Sequence, residues 1–334
     1  MDWIDKLVEW YKINARDLPW RRTRDPYAIW ISEIMLQQTR VAAVIPYYER
    51  FMAELPDVMA LASVSDDRLH KLWEGLGYYS RARNLKRAAV EVIEQYGGKL
   101  PGTYEELLKL PGIGEYTAGA IASIAFGEAV PSVDGNVLRV YARLFADGRD
   151  MRDAAVRKSV RAFLLPLMKH TDPALFNASL MELGATVCLP NGAPKCELCP
   201  VAGDCQALRQ NRTGELPVLA KKSARRVVQK TVFALIVNGL PLGYRREEKG
   251  LLAGLWQLPD TAGWLTDAEA AVWMGERGIL PVGELRFFER KHIFTHIEWH
   301  MRVCSAQVAA ETLPQGWVLL DERHALPTAY KICL

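Results

Sequence analysis

Two hydrophobic periods divide the chain into two parts. In residues 3–210 apolar side chains recur mostly every three or four positions, as in Trp30, Ile31, Ile34 and Met35. That period places the apolar residues on one face of an α-helix, while Gly and Pro residues mark short connections between helices. The pattern predicts an N-terminal helical domain, residues 1–212, of roughly eight to ten helices.

A different pattern follows in the last third of the chain. Short runs rich in β-branched and aromatic residues, which are typical of strands, occupy positions 227–228, 231–237, 285–288, 293–303 and 317–320. One helix is predicted over residues 266–275, so residues 227–334 are expected to form an α+β domain. Residues 213–226 combine Gly, Pro and a run of basic residues without a sustained period, and this composition predicts a linker.

The composition is that of a globular protein of two domains. The 334 residues are 50% hydrophobic and 24% charged, which argues against a disordered or fibrous chain. Lys and Arg number 42 against 39 Asp and Glu, and the net charge of +3 is compatible with a basic groove without indicating one. The N-terminus lacks a signal-peptide pattern, and no run of about 18 apolar residues could cross a bilayer. We therefore expect a cytoplasmic, nucleoid-associated protein without membrane contact.

A glycine-containing turn joins two helical segments near residue 112. Gly112 and Gly114 stand between an amphipathic run at 104–110 and a helix of small residues at 116–125. The arrangement resembles a helix-hairpin-helix, in which glycines take positive φ and the N–H groups of the following helix favour a phosphate. An ordinary helix–helix turn is the alternative. A helix-hairpin-helix here would bind the DNA backbone independently of the DNA sequence.

Two acidic residues occupy positions that suit either a structural or a chemical role. Asp134 stands among apolar residues at the start of a helix, where it would cap that helix or face a bound sugar. Glu33 lies in a helix predicted over residues 30–39, in which Glu33, Gln37 and Arg40 share one polar face. Most glutamates on such faces are only solvated, so Glu33 alone does not indicate a site.

Four of the six cysteines are clustered within residues 188–205. These are Cys188, Cys196, Cys199 and Cys205. Such clustering in a cytosolic chain suggests metal ligation rather than disulfides. The segment contains a single Cys-x2-Cys pair, whereas zinc sites more often contain two, and the spacing leaves both zinc and a 4Fe-4S cluster open.

Five blocks follow one another along the chain: residues 32–39, residues 75–85, the hairpin, residues 133–137 and the four cysteines. In this order they resemble the helix-hairpin-helix DNA glycosylase superfamily that includes endonuclease III, and within it the MutY branch. The resemblance covers essentially the whole chain. It implies a mainly α, two-lobed catalytic domain with a helix-hairpin-helix at 104–126 and an iron-sulfur loop at 188–205, followed by a Nudix-like domain.

The resemblance also implies the catalytic roles. Glu33 is the acid that protonates N7 of adenine, and Asp134 is the carboxylate that stabilises the positively charged sugar. Asn136 supports this site, and Tyr116 lies beside Asp134 at the pocket wall. Breaking an N-glycosidic bond requires one carboxyl to be held protonated while the other stays ionised. We therefore expect Glu33 and Asp134 to converge on one extracted nucleotide.

Position 116 separates two kinds of enzyme in the family that the chain resembles. In the endonuclease III branch a lysine at this position attacks the sugar and opens a route to strand cleavage. Tyr116 offers no amine. The resemblance therefore implies a monofunctional hydrolase that leaves an abasic site.

Further positions match residues that contact DNA in the family. A base inside a duplex must be flipped out, and wedge residues fill the gap. Gln38 and Tyr78 match the wedge positions, and Thr39 lies beside the partner base. Trp20 and Arg21 match residues near the adenine pocket. The alternatives are a helix-face amide for Gln38, a core aromatic for Tyr78 and stacking on a neighbour for Trp20.

The match at the cysteines favours a 4Fe-4S cluster. The chain has one residue more between Cys188 and Cys196 than the family usually has, and residues 191–192 are expected to absorb it in a turn. The resemblance implies a role for the cluster in DNA docking and stability.

In the C-terminal part, residues 250–259 and 292–296 resemble the MutY module that recognises 8-oxoguanine opposite adenine, a module similar to Nudix hydrolases. The carboxylate array with which Nudix enzymes hold magnesium is missing from residues 266–278, so nucleotide hydrolysis is not expected. At the tip of the expected recognition hairpin, Thr295 replaces the usual serine and His296 follows. His292, His296 and His300 recur every four residues, but a zinc site would require a helix where the pattern predicts strands.

Taken together, the resemblance implies a base excision repair enzyme that acts as a monomer on double-stranded DNA. It would flip out and hydrolyse adenine mispaired with 8-oxoguanine, and also adenine opposite guanine. A glycosylase of the same fold that removes thymine or an oxidised pyrimidine is one alternative. A damage-binding protein without catalysis is the other.

Overall fold

Helices fill the chain up to residue 209, as the three-to-four-residue period predicts. The computed structural model describes residues 2–190, 193–220, 224–309 and 313–334. In chain order the first twelve helices are α1 (Trp3–Asn14), α2 (Pro26–Leu36), α3 (Val41–Glu54), α4 (Val58–Ser63), α5 (Asp66–Trp73), α6 (Ser80–Tyr96), α7 (Tyr104–Leu107), α8 (Glu115–Phe126), α9 (Gly135–Leu144), α10 (Ala154–Leu164), α11 (Pro173–Thr186) and α12 (Gln206–Arg209). The number exceeds the roughly ten expected because α7 and α12 are single turns, too short to show a hydrophobic period.

Contacts divide the chain into two units. One unit comprises Met1–Ser63 and Asn84–Lys221, and the other comprises Val64–Arg83 and Lys222–Leu334. The second unit therefore includes a segment that precedes most of the helical part in sequence. No helix in the described part of the chain is long and apolar enough to span a membrane.

Helix α2 is shorter than the sequence predicted. It begins at Pro26, behind an N-cap at Asp25 whose carboxylate accepts two backbone N–H bonds, and it ends at Leu36. Gln38 then takes a positive φ of 59°, which reverses the chain. The prediction that Glu33, Gln37 and Arg40 share a helix face is therefore wrong, because Gln37 and Arg40 lie beyond the helix end.

One buried cluster of the first unit forms where α9 and α11 pack with α1. Its fully buried apolar side chains include Leu7, Val137, Phe176 and Leu183. Helix α11 also buries three polar residues, Asn177, Ser179 and Glu182. Buried polar groups are stable only when they are hydrogen-bonded, so these side chains of α11 need hydrogen-bond partners on the neighbouring elements.

The glycine turn forms between α7 and α8, as predicted. Gly112 has a φ of 78°, and a Cβ there would lie 2.6 Å from Cβ of Asn84, so both conformation and packing require glycine. Gly114 has a φ of −96° and serves as the N-cap of α8. The expectation of positive φ therefore holds for Gly112 and is wrong for Gly114.

The second unit contains a mixed sheet. Its strands are β1 (Arg226–Val237), β2 (Leu240–Arg245), β3 (Trp256–Gln257), β4 (Asp260–Ala262), β5 (Leu280–Ile293), β6 (Ile297–Ala309) and β7 (Trp317–Leu319). The order is β3-β2-β1-β6-β5, with β4 paired to β1 and β7 to β2. Strands β1 and β6 are parallel, and β5 and β6 are antiparallel. The predicted run 293–303 is interrupted by a turn at residues 294–296, where the chain passes from β5 to β6.

Side chains of β1 and β6 alternate between the two faces of this sheet, and each face packs into a buried cluster of its own. Val232 of β1 and Val303 of β6 belong to one buried cluster, and Phe233 and Cys304 belong to the other. Helix α13 (Asp267–Gly275), close to the predicted 266–275, packs Ala270 and Met274 on the second cluster. Helix α14 (Thr328–Lys331) packs Ala329 and Tyr330 on the first.

The described part of the predicted linker is anchored to the first unit. Leu216 is buried, and its carbonyl accepts a 2.9 Å hydrogen bond from Nε of Arg143. The backbone N–H of Met151 donates to the carbonyl of Val218. Residues 221–223 of the linker, like residues 191–192 of the cysteine segment, lie outside the described residues.

Candidate active site

A cleft of about 1060 Å³ lies in the first unit. It collects side chains that are far apart in the sequence, from α2, from α8, from the N-terminus of α9 and from α11. The residues nominated from the sequence that line it are Trp20, Arg21, Glu33, Gln38, Thr39, Gly112, Gly114, Tyr116, Asp134 and Asn136. The structure therefore brings both nominated carboxyls to one cavity.

Glu33 is a buried acid, only 6% exposed, and not the solvated residue that its polar spacing suggested. The hydroxyl of Tyr116 donates a 2.6 Å hydrogen bond to its Oε2. Burial raises the pKa of Glu33 to about 7; the hydrogen bond from Tyr116 opposes the rise and the charge of Asp134 adds to it. A carboxyl with this pKa can hold a proton at neutral pH and deliver it to a bound molecule.

Asp134 caps α9 and faces the same cleft, so both interpretations of its sequence position apply. Its Oδ1 accepts the backbone N–H of Val137 at 2.8 Å, and its Oδ2 accepts Nδ2 of Asn136 at 2.7 Å. Burial raises the pKa of Asp134, while these hydrogen bonds lower it because they favour the ionised form. The two carboxyls thus differ in their surroundings, since Asp134 receives hydrogen bonds from the backbone and an amide.

One wall of the cleft carries an ion-pair cluster that sequence analysis only partly identified. Glu182 has a fully buried side chain and pairs with Nη2 of Arg16 at 2.7 Å and with Nη2 of Arg21 at 2.6 Å. Hydrogen bonds from both guanidinium groups hold the pKa of Glu182 at about 2, against the opposing effect of burial. Trp20 is buried and packs edge-to-face on Tyr48, with ring centroids 5.3 Å apart. Trp20 thus contacts a neighbouring aromatic ring by its edge and not by stacking, and it lines the cleft as well.

The turn after α2 forms another part of the cleft. Gln38 is exposed in its left-handed conformation, and Thr39 is half-buried. Nε2 of Gln37 donates to Oγ1 of Thr117 on α8 at 3.2 Å, which fixes the turn against the hairpin. Gln38 is therefore a loop residue and not a helix-face amide.

The four cysteines lie on irregular segments and short helical turns against the core of the first unit. Cys188, Cys199 and Cys205 pack against the cluster that contains α9 and α11. Burial raises the pKa of Cys199 to about 12, and the charges of the other three cysteines add to the rise. Within residues 2–190, 193–220, 224–309 and 313–334, no three His, Cys, Asp or Glu residues form a group that could hold a single metal ion.

Two buried arginines of α9 bond to the cysteine segment, and one of them, Arg139, connects it to the cleft. Arg139 donates through Nε to the carbonyl of Cys188 at 2.7 Å and through Nη2 to Oδ1 of Asn136 at 2.8 Å. Arg143 donates through Nη1 to Sγ of Cys188 at 3.3 Å. A continuous chain of hydrogen bonds therefore joins Cys188 to Asp134 through Arg139 and Asn136.

The remaining nominated residues belong to the second unit. Thr295 and His296 are exposed in the turn between β5 and β6. Tyr78 lies in the segment between α5 and α6 and is 45% exposed, so the alternative of a core aromatic is wrong. His292 and His300 stand on the two strands beside the turn, which excludes the helical spacing that a zinc site would need.

Sequence reasoning did not nominate Arg16, Asn177, Glu182 or Gly184. Asn177 accepts the N–H of Ser132 and donates to the carbonyl of Val130, which holds the chain just before Asp134. A Cβ on Gly184 would lie 2.6 Å from Cβ of Asn136. For Asn177, Glu182 and Gly184 the available signal was a polar or glycine residue inside the apolar pattern of α11. Their contact partners could not be assigned from the local sequence.

Comparison with known proteins identifies the class. Residues 31–164 match the family model of the HhH-GPD superfamily base excision DNA repair proteins, and residues 231–334 match a NUDIX domain. The solved structure of a thermostable thymine-DNA glycosylase is 30% identical, with a TM-score of 0.55, and covers 62% of this chain and 95% of that chain. A non-covalent complex of endonuclease III with DNA has a TM-score of 0.54 at 24% identity, covers 62% of this chain and 94% of that chain, and shows the fold alone. The protein is a DNA glycosylase of base excision repair with a helix-hairpin-helix domain and a Nudix-like domain, as predicted.

The relatives specify the family further. The adenine DNA glycosylase of Mus musculus is 37% identical over 97% of this chain and 76% of the mouse protein. The adenine DNA glycosylase of Homo sapiens is 37% identical over 97% of this chain and 72% of the human protein. The chain belongs to the adenine DNA glycosylase family.

Proposed function

We propose that this protein removes adenine opposite 8-oxoguanine, and also adenine opposite guanine, from double-stranded DNA and leaves an abasic site. The observation that carries the proposal is the buried Glu33, hydrogen-bonded to Tyr116 and raised in pKa by burial, in the cleft that also holds Asp134. An acid and a carboxylate beside one bound nucleotide are what cleavage of an N-glycosidic bond requires.

In this mechanism Glu33 gives its proton to N7 of adenine, which makes the base a better leaving group. The C1′–N9 bond then breaks, the electron pair leaves with adenine, and positive charge develops on the sugar. Asp134 stabilises that charge, because the N–H of Val137 and the amide of Asn136 favour its ionised form. Water adds to C1′ and loses a proton, which completes the hydrolysis.

The polar wall of the cleft can provide selection for the base. Arg16 and Arg21 are partly exposed and can donate to ring nitrogens of adenine, while the fully buried Glu182 holds their guanidinium groups. Their mutual ion pairs fix these groups before the base enters. Trp20, held by Tyr48, supplies an apolar face for stacking.

Hydrolysis without strand cleavage fits the amino acids around the cleft. Strand cleavage by a glycosylase begins with attack of an amine on the sugar. Position 116 is a tyrosine, and no lysine is among the described residues that line the cleft. The proposed product is therefore an abasic site in an intact strand.

DNA docking is assigned to the hairpin and to the exposed residues nominated above. Gly112 and Gly114 place the N-terminus of α8, which has no side-chain cap, where its N–H groups can bind a phosphate. Arg157 and Arg161 line the same cleft and add positive charge. Gln38 and Tyr78 are proposed to fill the gap that the flipped base leaves in the DNA duplex, with Thr39 near the partner base. Thr295 and His296 are proposed to contact the oxidised guanine. We propose that the enzyme acts as a monomer.

We further propose that Cys188, Cys196, Cys199 and Cys205 bind a 4Fe-4S cluster. The donor set consists of four cysteines, none of them in a disulfide, and no histidine. A 4Fe-4S cluster takes one thiolate on each iron, so its ligands need not gather around one ion. Such a cluster would stabilise the irregular segment and could support DNA docking. An absorption spectrum of freshly purified protein tests this: a broad visible band and iron in the sample are expected, and colourless protein containing zinc would overturn it.

A duplex cleavage assay tests the function. The protein is incubated with duplexes that contain A opposite 8-oxoguanine, A opposite G, T opposite G, or only normal pairs, and the products are treated with alkali. We expect breaks only at adenine, and more of them when adenine is opposite 8-oxoguanine than when it is opposite G. Breaks at thymine would indicate another base choice, and specific binding without breaks would indicate a damage-binding protein.

A further inference from the structure

The chain between α8 and Asp134 is held by one buried side chain. Asn177 of α11 is 1% exposed. Its Oδ1 accepts the backbone N–H of Ser132 at 3.0 Å, and its Nδ2 donates to the carbonyl of Val130 at 2.9 Å and to Oγ of Ser123 at 2.8 Å. Because a backbone N–H can only donate and a carbonyl can only accept, these partners fix the orientation of the amide. Asn177 therefore ties α11 both to α8 and to the chain just before Asp134.

The same stretch of chain lies directly on α8. A Cβ on Gly119 would lie 3.0 Å from the carbonyl oxygen of Pro131 and 3.4 Å from Cα of Ser132, so this face of the helix is packed against backbone. Oγ of the fully buried Ser132 donates a 2.9 Å hydrogen bond to the carbonyl of Tyr116 in the first turn of α8. Ser132 thus contacts Asn177 through its backbone and Tyr116 through its side chain.

These contacts join the supports of the two carboxyls in the cleft. Tyr116 donates through its hydroxyl to Glu33 at 2.6 Å. Asp134 follows Ser132 by two positions, so its place in the cleft depends on where that stretch of chain is held. The hydrogen bonds from the first turn of α9 orient the carboxylate of Asp134, but they do not place it relative to α8. That placement depends on the stretch that Asn177 holds.

We infer that Asn177 and Ser132 are positioning residues of the excision reaction, because they fix Asp134 relative to Tyr116 and therefore relative to Glu33. The inference rests on the proposed function and deepens it. Cleavage of an N-glycosidic bond needs the proton donor and the stabilising carboxylate at one nucleotide together, and small displacements of such groups cost large factors in rate. Neither Asn177 nor Ser132 is among the residues that line the cleft. Each therefore acts through its neighbours and not on the nucleotide.

Ser132→Ala is the first test, because it removes the bond to Tyr116 and keeps the backbone N–H that Asn177 accepts. Ser179→Ala is the matched control, since Ser179 is equally buried on α11 and its hydroxyl donates to the carbonyl of Phe176 in its own helix. We expect Ser132→Ala to lower the single-turnover excision rate on A opposite 8-oxoguanine about threefold to tenfold, which is the worth of one hydrogen bond, and Ser179→Ala to leave it unchanged. The dissociation constant for a duplex whose adenosine carries a 2′-fluorine, which blocks cleavage, should stay the same. Equal rates for the two variants would overturn the inference.

The pH dependence of stability gives a second measurement, which does not require excision. Loss of the Ser132 bond loosens Tyr116, and a weaker hydrogen bond from Tyr116 raises the pKa of Glu33, on which the charges of Asp134 and Arg21 also act. A higher pKa in the folded protein means that more stability is lost as the pH rises. The free energy of unfolding should therefore fall further between pH 5 and pH 8 for Ser132→Ala than for the control variant. An equal fall for both would contradict the inference.

Asn177→Ala tests the second positioning residue. It leaves the N–H of Ser132 and the carbonyl of Val130 without their partner, so it also lowers stability. Leu180→Ala controls for that loss, because Leu180 is a buried residue of the same helix outside the cleft. Under conditions in which circular dichroism shows both variants to be folded, Asn177→Ala should lower the excision rate at least about tenfold, whereas Leu180→Ala should nearly keep the wild-type rate.

Equal excision rates for Asn177→Ala and Leu180→Ala would refute the role of Asn177. If Asn177→Ala does not fold, Ser132→Ala and its control decide the inference. Absence of excision by the wild type in the cleavage assay would refute only the proposed function, since the unfolding curves of Ser132→Ala and Ser179→Ala still test the contact with Tyr116.

Discussion

The hydroxyl of Tyr116 donates a 2.6 Å hydrogen bond to Oε2 of Glu33. This contact joins α8, the second helix of the hairpin, to α2, the helix that carries Glu33, across 83 positions in sequence. A hydrogen bond to a carboxylate favours its ionised form, yet burial outweighs this effect and raises the pKa of Glu33 to about 7. The pKa of Glu33 therefore lies close to neutral pH, and a proton donor is most effective when its pKa is near the working pH.

Replacement of Glu33 by Gln should abolish most excision while leaving binding intact. Glutamine keeps the shape and can accept the Tyr116 hydroxyl, but it has no acidic proton for the leaving base. We expect the single-turnover rate on A opposite 8-oxoguanine to fall at least about a hundredfold, since general acid catalysis is typically worth that much. The dissociation constant for the same duplex should change little. A rate near that of the wild type would refute the assignment of Glu33 as the acid.

The pH dependence of excision should show the titration of Glu33. If the protonated acid is required, the single-turnover rate falls as the pH rises through about 7, by about tenfold per pH unit well above that value. Tyr116→Phe removes a hydrogen bond that lowers the pKa of Glu33, so it should move this fall to higher pH. A fall in the same pH range for Glu33→Gln would show that another group titrates.

The raised pKa of Glu33 also predicts a pH-dependent cost in stability. Between its ordinary value of 4.5 and about 7, the folded protein binds this proton more tightly than the unfolded chain, so the free energy of unfolding decreases as the pH rises through that window. Glu33→Gln removes the cost. We expect the variant to gain up to about 3 kcal/mol relative to wild type at pH 8, and little at pH 5, in urea unfolding curves. An equal difference at both pH values would contradict the buried-acid environment.

Local pattern was sufficient to predict the two kinds of domain. The change from a three-to-four-residue period to alternating strands, as at Val232 and Phe233, follows from which faces of an element are buried. The hairpin was also predictable, because the left-handed conformation at Gly112 needs a residue without Cβ. The ends of helices were harder to predict from the sequence. Helix α2 stops at Leu36 because the chain turns back at Gln38 to meet the hairpin.

Long-range partners could not be obtained from the local pattern. Glu182 looks like any polar residue of a helix, and only the fold shows that Arg16 and Arg21 surround it. The association of Val64–Arg83 with the Nudix-like domain depends on contacts such as Asp67 with Arg245, which are 178 positions apart. Contacts of this kind leave no periodic signal, because each depends on how several elements meet in space.

Tyr116→Lys should convert the enzyme towards strand cleavage. Position 116 lies at the N-terminus of α8 in the cleft, beside Glu33 and within the electrostatic influence of Asp134. An amine there could attack C1′ of the sugar to form an iminium, from which β-elimination breaks the strand. We expect strand breaks without alkali, and a protein–DNA adduct after borohydride reduction that the wild type does not give. Excision without either product would mean that residue 116 does not reach the sugar.

Gly184→Ala should slow excision through the support of Asp134. Gly184 of α11 faces α9, where an added Cβ would lie 2.6 Å from Cβ and 3.1 Å from Cα of Asn136, and the carbonyl of Gly184 accepts a 2.8 Å hydrogen bond from Arg139. The methyl group must therefore displace Asn136, whose amide donates a hydrogen bond to the carboxylate of Asp134. We expect the single-turnover excision rate to fall at least about tenfold, while the dissociation constant for a duplex whose adenosine carries a 2′-fluorine, which blocks cleavage, stays nearly unchanged. Gly214→Ala is the matched control, because a Cβ at Gly214 meets nothing within 4 Å and the residue lies outside the cleft and the cysteine segment. Equal rates for the two variants would show that Asn136 does not position the carboxylate.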